Sequence, residues 1–149
     1  MTSRPTSSAP RAVAEIANYH AHIYYDGAER PRAARLRDLI AERFTLRIGS
    51  WHDGPVGPHT KGMYQLAFAA AEFPRLVPWL MLNRDGLSIL IHPNTLRPRD
   101  DHLVNALWLG DALPIRSVIC GLGIAGAVCA IAIMLPGREH VKGIYNVEL

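Results

Sequence analysis

Two helix-like runs set among four strand-like ones, in the order β-α-β-β-α-β, predict an α+β fold of the ferredoxin-like type, an antiparallel sheet with both helices on one face. The strand-like runs alternate apolar and polar residues, and the helix-like runs repeat apolar residues every three to four positions. Asp-Gly and Pro-containing joints separate them, and no repeat of solenoid length interrupts the pattern.

The first strand is expected over 18–25, where Tyr19, Ala21, Ile23 and Tyr25 share one face and His20, His22 and Tyr24 the other. Asp26-Gly27 ends it. Pro31 suits a first helical turn, and Ala33, Leu36, Leu39, Ile40 and Phe44 then mark the buried side of a helix. A second strand follows over 45–51, and 52–61, rich in Gly and Pro, reads as loop. The third strand, 62–68, sets Tyr64, Leu66 and Phe68 against Met63, Gln65 and Ala67. A second helix over 74–83 is closed by Asp85-Gly86, with Pro78 implying fraying or a kink. The fourth strand, 87–92, is expected to stop at Pro93 and carries His92 opposite its apolar side. Strands one and four are neighbours in this topology, so His22 and His92 are expected side by side on the helix-free face.

A chain of 149 residues supports one domain. Its organisation reads as a Ser/Thr/Pro-rich disordered leader over 1–17, a folded domain over 18–114 and an atypical hydrophobic tail over 115–149. The net charge of +3 is mild, and the arginines gather on the first helix without interleaved aromatics, which reads as a solvated face and not a nucleic-acid footprint. Cys120 and Cys129 form no framework, so a reducing, cytoplasmic setting is expected. The uncharged run 118–135 would span about 27 Å as a helix, enough for a bilayer core. The alternatives are a helix packed on the domain, a dimer interface, or a tail foreign to this fold.

Five of the seven histidines lie in three short stretches, Tyr19-His20-Ala21-His22-Ile23-Tyr24, Trp51-His52 through His59, and Leu90-Ile91-His92-Pro93-Asn94-Thr95. Imidazole is the commonest protein ligand for Fe, Zn, Cu and Ni, and the lack of neighbouring thiolates argues against a structural zinc cage. Asp26 and Asp53 sit at turns and are poor third ligands. The glycines of Gly121-Leu122-Gly123-Ile124-Ala125-Gly126 lack the strand and later acidic residue of a dinucleotide site, and no Gly-x-Ser-x-Gly occurs.

These stretches, with Gly57-Pro58-His59 leading into Met63-Tyr64-Gln65-Leu66-Ala67-Phe68 and with Asp101-His102 before Ala106-Leu107-Trp108-Leu109-Gly110, resemble the DOPA 4,5-dioxygenase family over about 18–114. The resemblance implies a ferredoxin-like homodimer that cleaves a catechol such as DOPA by an extradiol route. Non-haem Fe(II), or another divalent metal, and O₂ would be used, giving a muconic semialdehyde. It makes His22, His59 and His92 the metal ligands. His20 and His52 are the acid–base candidates, with ordinary pKa values near ~6.5. Trp51 or Tyr24 would stack the substrate ring, with core packing as the competing role of both. His102 reads as a residue that orients a ligand from outside or as a helix-start residue, and His140 has no role. Two competing functions are a non-catalytic dimer that binds a metal or aromatic ligand, and a membrane-tethered module whose histidines only pack.

Overall fold

A computed structural model describes residues 9–117. The leader's first eight residues and the apolar run 118–135 lie outside them. Among the described residues no helix is long and apolar enough to cross a membrane. Within the expected leader, Val13–Glu15 forms one 3-10 turn, and the Ala17 N–H donates to the Asn94 carbonyl at 2.9 Å.

Eight elements follow: β1 (Asn18–Tyr25), α1 (Arg30–Arg43), β2 (Arg47–Ile48), β3 (Gly62–Phe68), α2 (Phe73–Asn83), β4 (Ile89–Asn94), α3 (Pro98–Leu103) and β5 (Leu107–Leu109). The strands form one antiparallel sheet in the order β2-β3-β1-β4-β5. Before α1, Asp26 and Glu29 each accept the other's backbone N–H, at 2.9 and 3.0 Å, a reciprocal arrangement that sets the entry to the helix. Ala33, Leu36 and Ile40 of α1 and Leu76, Val77 and Leu80 of α2 are buried against Ala21, Ile23, Tyr25, Tyr64, Leu66, Ile89 and Ile91 of the sheet. This is the main core. Pro78 is tolerated inside α2, where it stands exposed while the apolar side holds the helix to the sheet.

Two strand expectations need correction. β4 does not stop at Pro93 but runs through it to Asn94. Ser88 and Asn94 turn their carbonyls toward the β1 side, to Tyr24 and Ala17, so by alternation Pro93 turns its missing N–H the other way. There β5 has already ended, with Leu107 opposite Ile91, and no ladder bond is lost. The second strand shrinks to two residues because its pairing slips. Arg47 pairs Ala67 and Ile48 pairs Leu66, yet the next bridge joins His52 to Met63, one residue out of step. That extra residue is a β-bulge over 49–51, and it exchanges the faces of everything after it. Arg47 and His52 lie on the helix-free side, while Trp51 turns to the helices. It packs against Tyr25 and Tyr64 under the guanidinium of Arg30, 4.2 Å from its ring centroid.

The helix-free face is itself roofed. Loop 52–61 is clasped to the segment after β5 by an His59–Ile115 bridge, by the Arg116 N–H donating to Pro58 (2.9 Å) and by the Thr60 hydroxyl donating to Pro114 (2.8 Å). Tyr24, Met63 and Leu90 make a second small core beneath it, packed by Val56, Trp108 and Ile115. Gly57, at φ +55°, forms the turn that returns His59 to the sheet, a backbone geometry that favours glycine.

Candidate metal centre

Under that roof five imidazoles converge from four elements. β1 supplies His20 and His22 by its alternation, β4 supplies His92 directly across from His20, the loop supplies His59, and α3 supplies His102. All five are buried. The ring centroids of His22 and His59 are 4.1 Å apart, those of His92 and His102 3.9 Å, and those of His22 and His92 5.2 Å. Two groups, His20/His22/His92 and His22/His59/His102, each bring one ring nitrogen per residue within 4.8 Å of the others. His22 belongs to both. Among the described residues these groups contain histidines alone.

The hydrogen bonds decide the tautomers. His92 Nδ1 lies 2.8 Å from the Pro93 carbonyl oxygen and His102 Nδ1 2.8 Å from that of Pro98. A carbonyl only accepts, so each Nδ1 carries the proton and each Nε2 keeps its lone pair. His22 Nε2, 3.1 Å from His92 Nε2, must then be the donor of that pair. This leaves His22 Nδ1 unprotonated and buried with no hydrogen-bond partner. An orphaned buried polar atom of this kind costs about 1–3 kcal/mol.

The 3.1 Å separation is also what one ion would require. Two nitrogens bound at about 2.0–2.1 Å, subtending roughly 90–110° at the metal, lie about 2.9–3.4 Å apart. Burial pushes His20 and His59 down to about 3 and holds His22, His92 and His102 below the usual imidazole value, with the neighbouring rings adding to the effect in all but His102. The whole cluster is neutral at pH 7, so no positive charge opposes a cation, and binding through His22 Nε2 would move its proton to Nδ1. The ordinary pKa expected for His20 is corrected by this burial.

Tyr24 reaches the cluster, its hydroxyl 2.6 Å from His59 Nδ1 and its ring stacked on Trp108. Burial pushes its phenol well above its usual value, which keeps it protonated. His52 stands half-buried at the sheet edge, outside both groups. Trp51, on the opposite side of the sheet, does not line the cluster. Asp53 accepts from Tyr25 and Arg30 on that same side and is no ligand.

Asp101 holds His102 in place. Its fully buried carboxylate accepts the Thr95 N–H (2.7 Å) and hydroxyl (2.8 Å), tying α3 to the end of β4. Sequence patterns gave little hint of this clip beyond the Thr95 and Asp101 residue types.

The sequence model of the Dopa 4,5-dioxygenase family matches residues 19–119, more than half of the chain. The chain belongs to the Dopa 4,5-dioxygenase family. Among its relatives, the DOPA 4,5-dioxygenase of Amanita muscaria is 29% identical over 126 residues, covering 78% of this chain and 55% of that protein. An uncharacterized 21.2 kDa protein of Botryotinia fuckeliana is 34% identical over 109 residues, 65% of this chain and 60% of that one. The chain thus spans a little over half the length of these two relatives. A dioxygenase candidate from Nostoc punctiforme, solved by crystallography at 1.46 Å, is 50% identical, with a TM-score of 0.73 over 74% of this chain and 96% of its own. The histidine groups of this chain could hold a metal ion.

Proposed function

We propose that this protein is an extradiol dioxygenase that opens the ring of a catechol, DOPA or a close relative, to a muconic semialdehyde. The observation that carries the reading is the buried, neutral His22–His92 pair at ligand spacing, within a chain of this family. The strand order, with β5 added at one edge, supports a ferredoxin-like scaffold, and the family resemblance supports a homodimer.

His22 and His92 hold the metal in this account, with His59 as the third ligand. Their neutral imidazole nitrogens suit Fe(II) or another divalent first-row ion with open positions. A bound ion of this kind supplies Lewis acidity and an electron path between a catechol and O₂.

The protein's own groups do the rest. The roof over the face excludes water from the ring and from the imidazoles. His20, two residues before His22 on the same strand face and 5.4 Å between ring centroids from His92, is the acid–base group nearest the ligands. Burial makes it a weak base, so it would accept the proton only of a catechol hydroxyl made acidic by a bound metal. His52, at the rim, is the second acid–base group. Tyr24, its hydroxyl 2.6 Å from His59 Nδ1, is the group proposed to meet a substrate ring or its oxygens, whereas Trp51 packs in the core.

Protein loaded anaerobically with Fe(II) and then given DOPA or plain catechol should consume one O₂ per ring and form a yellow product. Iron binding without O₂ uptake on either would instead favour a non-catalytic metal- or ligand-binding protein.

A further inference from the structure

We propose that His102 is itself a metal ligand, joining His22, His59 and His92, rather than a helix-end residue or an outer partner. The inference rests on the metal reading of the cluster. It is drawn from three independent features of the chain.

First, His102 repeats the device seen at His92. In both, a ring Nδ1–H is tied down by a proline carbonyl, Pro98 in one case and Pro93 in the other, each at 2.8 Å. Each ring is thereby locked with an unprotonated Nε2, the state that a ligand needs. A residue serving only to cap α3 would have no reason to be buried with its second nitrogen among imidazoles. Second, its ring lies 3.9 Å from that of His92 and 5.8 Å from those of His22 and His59, and its ligand nitrogen lies within 4.8 Å of theirs in the second group. Third, its position is built. The Asp101–Thr95 clip fixes α3 against the chain just three residues beyond His92, so the two rings approach by construction and not by the chance fall of a loop.

The test separates a ligand from a positioning residue. The side-chain amide of Asn places its nitrogen where histidine has Nδ1, so His102→Asn keeps a donor for the Pro98 carbonyl and deletes only Nε2. Cu(II) serves as the probe, since it binds nitrogen sites most tightly of the divalent first-row ions. Pulsed EPR then counts the imidazoles on the ion. His102→Asn should show one fewer than wild type and a loss of affinity of about 100-fold or more, beyond the ~10–100-fold typical of an outer partner. His102→Gly should regain the wild-type spectrum on addition of free imidazole. An unchanged imidazole count in a folded His102→Asn would overturn the assignment while leaving the metal reading intact. A wild-type protein that takes up no stoichiometric Cu(II) would overturn both.

Discussion

His22 carries more of the site than any other side chain. It donates to His92 through Nε2, leaves Nδ1 without a hydrogen-bond partner and belongs to both ligand groups. His22→Ala is expected to abolish metal retention, by more than the ~10–100-fold that loss of an outer partner costs. Metal analysis after gel filtration checks this, and full occupancy in the variant would remove His22 from the ligand set. Trp51 makes the opposite case. Its ring packs on Tyr25 and Tyr64 beneath Arg30 and Arg37, so Trp51→Ala should cost about 3–5 kcal/mol in denaturant unfolding and leave metal content unchanged. A metal defect in folded Trp51→Ala would place that residue near the site after all.

At the scale of elements, the strands are scaffold and the roof is what completes the site. β1 and β4 present His20, His22 and His92 without help, but His59 arrives only because the Val56–His59 turn reverses the loop, with the His59 N–H donating to Val56 at 3.0 Å. Gly57→Ala puts a Cβ on a left-handed residue, and should cost about 1 kcal/mol and weaken metal binding while β1 and β4 stay intact. Metal titration beside amide exchange would detect this, and unchanged affinity would show that His59 does not depend on the turn. The same division explains what could be read from the chain. β3 falls at 62–68 as alternation predicts, and α1 buries Ala33, Leu36 and Ile40 as spacing predicts, because both signals are local. The bulge at 49–51 was illegible, since an extra residue has no mark in the sequence until the partner strand is known. Of the two roles open to Trp51, the bulge selects core packing, by turning its ring to the helix side. β5, with three residues, and α3, with six, are too short to leave a period. His102 could be seen as a histidine but not as a neighbour of His92, because that contact depends on the non-local clip from Asp101 to Thr95.

For the whole molecule, five neutral imidazoles buried together set a pH dependence. Their folded-state pKa values lie below the unfolded ~6.5, at about 3 for His20 and His59, so the unfolded chain binds more protons as pH falls. The metal-free protein should hold its full stability above pH ~6.5 and lose it progressively below, each such group contributing at most ~1.4 kcal/mol per pH unit. Denaturant midpoints at pH 7.5, 6.0 and 5.0 would follow this, and a flat profile would mean that the cluster is open to water. Bound metal should flatten the upper part of that decline, because it binds only the deprotonated rings of the native state.

The central claim is that the roofed face of the sheet is a metal site, and anaerobic titration of the metal-free protein with Fe(II), followed by metal analysis, tests it most directly. One tightly held ion per chain in the wild type, lost in His22→Ala, is the result the structure predicts. No stoichiometric ion in a folded wild-type protein would contradict it and return the five histidines to packing.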